Sequence, residues 1–197
     1  MDKDSKEIKR LIESVLSGNR GAFVRLVEMH KRLVSHMVFR MIQNEADRED
    51  LCQEVFMRVY DNLGSFRFQS KLSTWIGSVA FNTCANYLEK KRVPLYQDLG
   101  PGERTIDDCV DNSLNPDEIV ERGDISSIIR REIDGLPIKY RTVITLYHLE
   151  EMSYKEIGSI ANLPEGTVKS YLFRARRLLK EKLLSKFKTE DLWERSI

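Results

Sequence analysis

Three features predict an all-α protein, built as two small helical domains joined by a flexible acidic linker. Apolar residues recur at helical spacings along most of the chain, with no strand pair, hairpin turn or internal repeat. Between Val93 and Glu121, eight acids stand against a single base, Arg104. The residues from Ser153 to Leu183 read as two short helices meeting at a tight turn.

Residues 3 to 16 place Ile8, Leu11, Ile12, Val15 and Leu16 on one face, and Gly18 with Asn19 stops that helix. A second helix is expected from near Arg20 to about Gln43. Its apolar positions Phe23, Leu26, Val27, Leu33, Val34, Met37, Val38, Met41 and Ile42 make a stripe wide enough for several neighbours. A third, from about Ala46 to Leu63, buries Leu51, Val55, Phe56, Val59 and Tyr60 and opens with Asp47, Glu49, Asp50 and Glu54. Acids at a helix start complement its dipole, so this cluster reads equally as end-capping or as a binding face.

Gly64 opens the loop SFRFQSKLS, and a fourth helix follows from about Thr74 to Arg92 with Trp75, Ile76, Val79, Ala80, Thr83 and Leu88 inward. Around these sit Phe66, Phe68, Phe81 and Tyr87, interleaved with Arg67, Lys71, Asn82, Asn86, Lys90, Lys91 and Arg92. Aromatics mixed with amides and bases suit a stacking platform for unpaired bases, although aromatics at helical spacing more often form core.

The first domain is thus expected to cover residues 1–92. Residues 93–118 form the linker, where Pro94, Gly100, Pro101 and Gly102 precede Asp107, Asp108 and Asp111 with little apolar periodicity, a composition expected to be disordered when free. The second domain, 119–188, follows a helical pattern that resumes near Pro116 with Ile125, Ile128, Ile129 and Ile133 on one face. Leu136-Pro137 breaks that helix before another from about Ile138 to Glu150, and residues 189–197 form a tail.

The helices from Ser153 onward are encoded locally. Ser153, three residues before Glu156, predicts a capping box, and Ile157, Ile160 and Ala161 give a buried face. Asn162 suits the left-handed end of a helix, and Pro164 suits the first position of the next. In that next helix Val168, Leu172, Ala175, Leu179 and Leu183 form one apolar stripe. From Lys169 to Lys188 the remaining surface carries eight bases against one acid, Glu181. A one-sign face on the second helix of a helix-turn-helix suits the major groove, and Phe173 among Lys169, Ser170 and Arg177 could touch a thymine methyl.

Composition excludes other classes. At 197 residues, 41% hydrophobic and a net charge of +1, the chain can bury two cores, and its charges are segregated by segment rather than in excess. It has no apolar run long enough to cross a bilayer, and MDKDSKEIKR lacks a signal core, so a cytoplasmic protein without membrane insertion is expected. Cys52, Cys84 and Cys109 form no C-x-x-C pair, and His30, His36 and His148 are scattered. Reduced thiols, no metal site and no cofactor are therefore expected. No Gly-rich phosphate loop or nucleophile motif points to an enzyme or a small-molecule substrate.

Two separated stretches together resemble the extracytoplasmic-function (ECF) sigma factors of bacterial RNA polymerase. The string D-x-E-D-L-x-Q-E-x-F from Asp47 to Phe56, followed by F-x-x-x-S-x-L-x-T-W from Phe66 to Trp75, resembles that family's region 2. LPIKYRTVITLYHLEEMSYKEIG and PEGTVKSYLFRARRLL resemble its region 4.

The resemblance implies that the helix carrying Asp47, Asp50, Gln53 and Glu54 binds the coiled coil of the largest core polymerase subunit. It implies that Phe66, Arg67, Phe68, Gln69, Ser70 and Lys71, with Trp75 and Asn82 on the following helix, open promoter DNA at the −10 element and hold a flipped base. Lys169, Ser170, Phe173, Arg174 and Arg177 would read the −35 element as duplex. The acidic linker would thread toward the polymerase active centre, and an anti-sigma factor is a candidate further partner. Ser78 and Phe81 stand where the family commonly has arginines, and Glu89 interrupts its basic run, which weakens expected phosphate contacts there. The competing reading is a ligand-sensing two-domain helix-turn-helix regulator; that reading leaves the acidic linker unexplained.

Overall fold

A computed structural model describes residues 3–91 and 125–186, so the expected linker at 93–118, the tail, Lys188 and Cys109 lie outside the described residues. Helix α1 (Lys3–Leu16) ends where Gly18 takes φ +87°, a left-handed conformation open to glycine. Asn19 then starts α2 (Arg20–Met41), its side-chain oxygen accepting from the Ala22 amide at 3.1 Å. The residue expected to stop one helix thus also caps the next. Asn44 repeats the device for α3 (Glu45–Asn62), accepting from Ala46 N at 3.2 Å.

Helix α2 is the hub of the first half and packs on α1, α3 and α4. Leu26, Val34 and Val38 are fully buried on it, each worth ~1.5–3 kcal/mol of transfer free energy. On α3, Leu51, Val55 and Val59 point inward at intervals of four, while Phe56 is only partly covered. Tyr60, expected inside, is instead 48% exposed and meets Phe23 edge-on at 5.0 Å. The reason is angular, because one residue past Val59 is about 100° further round the helix.

A single 3₁₀ turn, Leu63–Ser65, leads to the loop before α4 (Leu72–Lys91). The helix begins two residues before the expected Thr74, so Leu72 already belongs to it and is buried. Phe81 is fully buried, which removes it from the expected aromatic surface. Helix α4 is covered by α2 and α3 and, from the other half, by α7, and this wide burial takes in Phe81, Cys84 and Ala85 as well as Ile76 and Ala80.

The second half comprises α5 (Ile125–Asp134), α6 (Ile138–His148), α7 (Tyr154–Ala161) and α8 (Glu165–Lys186). Leu136 is fully buried at the break, and Pro137 precedes α6 with its carbonyl accepting from Tyr140 and Arg141. Helix α6 packs along α8, with Tyr140 edge-on to Tyr171 at 5.6 Å. The architecture is all-α, two small helical domains with no strand among the described residues.

The halves touch. Helix α2 packs on α6, and α4 packs on α7. Arg141, only 2% exposed, donates from its guanidinium to the carbonyls of Arg40 across the seam and of Asp134 and Leu136 at 3.0 and 3.1 Å. Arg40 pairs with Asp134, and Glu150 receives Arg32 Nε at 3.3 Å and lies 2.5 Å from His36 Nδ1.

Candidate nucleic-acid and polymerase interfaces

The helix-turn-helix forms as its residues require. Ser153 Oγ accepts from the Glu156 amide at 3.3 Å, and Glu156 Oε2 accepts from Ser153 N at 2.9 Å, closing the capping box. Asn162 ends α7 at φ 54°, ψ 48°, and the next amide, Leu163, reaches back to Gly158 O at 2.9 Å. A Cβ on Gly158 would lie 2.6 Å from Leu163 O, a backbone atom that cannot swing aside. Only glycine permits a turn this tight. Pro164 stands just ahead of α8, its carbonyl accepting from Thr167 and Val168.

Val168, Leu172 and Ala175 of α8 are buried as expected, and Tyr171 joins them. Lys169, Ser170, Phe173, Arg174 and Arg177 are all exposed, with Phe173 at 67%. Arg177 reaches Glu181 only at 3.7 Å and in full solvent, a pair worth ~0–1 kcal/mol and readily given up to a phosphate. Arg176 is different: its Nε lies 3.2 Å from His148 Nε2 and its guanidinium covers the Tyr147 ring at 5.1 Å. That base is spent on holding α8 to α6.

In the loop before α4, Phe68, Phe66 and Trp75 make a ladder with ring centroids 4.8 and 5.6 Å apart. Phe66 is buried at its middle, whereas Phe68 is 45% exposed. Phe68 also sits at φ +57°, a left-handed conformation costly for a bulky residue and found where strain has a use. Arg67, Gln69, Ser70 and Lys71 are exposed on the same loop, Trp75 is half-buried, and Asn82 is exposed ten residues into α4. The structure therefore gathers one outward ring on an apolar footing, in a loop that also carries an amide and bases. Nothing in the sequence marks the strained backbone.

On α3 the first-turn acids are Glu45 and Asp47, so Asp50 and Glu54 lie beyond the reach of end-capping. Asp50 and Gln53 are exposed, and Glu54 accepts from Arg58 at 2.7 and 2.9 Å. Asp47 turns inward to α4, where Tyr87 donates to it and Lys91 Nζ lies 2.8 Å away. The Lys91 ammonium, then the Tyr87 hydroxyl, hold the Asp47 carboxyl below its ordinary range. Asp47 thus orients α3 on α4, while Asp50 and Gln53 face solvent.

The helical bundle with its exposed aromatic loop and the helix-turn-helix with its basic outer row match, in order, two domains of the sigma class. Residues 26–93 match Sigma-70 region 2, and residues 126–179 match Sigma-70, region 4. Over 180 residues the chain is 36% identical to the ECF RNA polymerase sigma factor SigW of Bacillus subtilis (strain 168), covering 89% of this chain and 96% of that protein. It is 34% identical over 177 residues to the ECF RNA polymerase sigma-E factor of Escherichia coli (strain K12), covering 88% and 92%. The sigma factor RpoE from Bartonella quintana, solved with the anti-sigma factor NepR, shares the fold at a TM-score of 0.64 and 20% identity, over 82% of this chain and 96% of that one. CnrH, solved with the cytosolic domain of CnrY, does so at 0.61 and 19%, over 89% and 96%. The chain belongs to the ECF RNA polymerase sigma factors. It binds core RNA polymerase, directs it to particular promoters and initiates transcription there.

Proposed function

We propose that three surfaces divide this task. The exposed side of α3, with Asp50, Gln53 and Glu54, meets the coiled coil of the largest polymerase subunit, and Asp47 sets the angle of that helix. The loop from Phe66 to Lys71, with Trp75 and Asn82, takes one extruded base of the −10 element: Phe68 stacks on it and the flanking amides and bases hold its edge and phosphate. Helix α8 reads the −35 duplex through Lys169, Ser170, Phe173, Arg174 and Arg177.

The observation carrying this reading is the outward row of α8, whose exposed bases surround a 67% exposed aromatic ring and which follows a turn that only glycine permits. The protein acts in the cytoplasm as a promoter-specificity subunit, without chemistry of its own; no described helix is long and apolar enough to cross a membrane. Its domains run over 1–92 and 119–188, with 93–118 as an acidic tether. An anti-sigma factor is a fitting regulator, since one protein of the same fold, RpoE from Bartonella quintana, was solved with such a partner.

In vitro transcription with core polymerase on a promoter library tests the division. Alanine at Lys169, Arg174 or Arg177 should alter −35 use alone, and a swapped Phe66–Leu72 loop should alter −10 use alone. Equal loss at both elements from either change would overturn it.

A further inference from the structure

The residues from Lys169 to Lys188 carry eight bases, and by spacing alone Arg176 is one more of them. The structure sets it apart. Its guanidinium lies over the Tyr147 ring at 5.1 Å, and its Nε donates to His148 Nε2 at 3.2 Å. Tyr147 in turn stacks on Tyr154 at 5.3 Å with the planes 24° apart, and it meets the His148 ring edge-on at 5.0 Å. Arg176 is on α8, Tyr147 and His148 end α6, and Tyr154 opens α7 beside the Ser153 cap. One stack thus joins three helices at the end of α6, where the helix dipole also favours a cation. Desolvation first, and then the Arg176 charge, lowers the His148 pKa below its ordinary value. The ring is therefore neutral at neutral pH, and its Nε2 has a lone pair to accept with.

We infer that Arg176 is a positioning residue for −35 reading, which sets the rotation of α8 through Tyr147 and His148 and makes no DNA contact itself. This rests on the reading of α8 proposed above. The contacts beneath α8, from Val168, Leu172 and Ala175, are apolar, and apolar burial has no preferred direction. Ring and hydrogen-bond contacts have one. Arg176 stands between buried Ala175 and exposed Arg177, so it holds the helix at the flank of its reading row. A rotation of α8 by ~10° would carry side-chain atoms ~6 Å from its axis through ~1 Å, twice the ~0.5 Å within which a recognition site must be held. Arginine is needed because lysine brings the charge without the planar fork that covers a ring and meets an imidazole nitrogen in one geometry.

Holoenzyme made with the parent, Arg176→Ala or Arg176→Lys, titrated at several salt concentrations on promoters varied at −35, tests the role. Both variants should bind the preferred −35 sequence about three- to tenfold more weakly and discriminate less against other sequences, with −10 preference and salt slope as in the parent. Loss of a phosphate contact instead lowers the slope by about one and is restored by lysine, so either result would overturn the inference.

Should an Arg176 variant lose helix content, the exposed His148 decides. His148→Leu removes the acceptor and should flatten the −35 preference as Arg176→Ala does, whereas His148→Gln supplies another acceptor and should hold the parent's preference. Equal behaviour of the two overturns the assignment. Alanine at Lys169, Arg174 and Arg177 is the control. If those variants leave −35 use unaltered, the reading of α8 falls; if they alter it while Arg176→Lys matches the parent, only the positioning role does.

Discussion

Glu156 carries two duties in one carboxylate. Burial alone would raise its proton affinity, but the Ser153 hydroxyl, the Lys71 ammonium and the Ser153 amide outweigh it and hold the group at about 2 against an ordinary 4.5. A carboxyl depressed on folding adds stability that is fully present above pH 4.5 and lost as pH falls toward about 2. The stability difference between the parent and Glu156→Gln, followed by urea unfolding, should therefore shrink between pH 5 and pH 2.5; a constant difference would contradict the assignment. At the outer row of α8, losing a base-edge contact should cost ~1–3 kcal/mol at one −35 position, while losing a phosphate contact weakens all sequences alike. Alanine variants of Lys169, Arg174 and Arg177, titrated on a duplex library, separate these outcomes. The Ser153 and Glu156 cap was legible from spacing because it is local. The Lys71 pairing was not, since it joins residues 85 positions apart.

Among the elements, the loop from Phe66 to Lys71, proposed above to take a −10 base, makes the sharpest separation of stability from function. Phe68 holds a left-handed backbone that glycine would adopt freely, so Phe68→Gly should leave thermal stability unchanged or raised by about 1 kcal/mol. Its removal should still depress promoter melting, read by permanganate reactivity at the −10 element. Normal melting would return the ring to a packing role. The turn between α7 and α8 behaves in the opposite way: Gly158→Ala meets a backbone carbonyl and should lower stability by ~1–3 kcal/mol together with −35 binding. Helix positions were legible where one face met one neighbour, as at Val168, Leu172 and Ala175. They were misjudged where packing decides, because α4 is covered by three helices and Phe81 goes inside, while α3 leaves Tyr60 out. The Tyr87 and Lys91 clamp on Asp47 was likewise invisible, since it depends on how α3 crosses α4.

At the scale of the molecule, the two helical halves and their order were legible from the two motif-bearing stretches. Their mutual packing was not, because Arg141 reads as a surface base in KYRTVITL and yet is buried against carbonyls from both halves. A hint was Gly77, unfavourable in the interior of α4, where a Cβ would lie 2.7 Å from Ile160 Cδ1 of α7. The account as a whole rests on the acid face of α3 joining the protein to core polymerase, since promoter reading by two small domains is productive only on the enzyme. The most direct measurement is the affinity of core RNA polymerase for the parent and for Asp50→Lys, with run-off transcription from one cognate promoter. The account predicts tight binding and promoter-dependent transcript from the parent, and both reduced at least tenfold, ~1.4 kcal/mol, by the charge reversal. Equal affinity of the two proteins for core, or no promoter-dependent transcript from the parent, would contradict it.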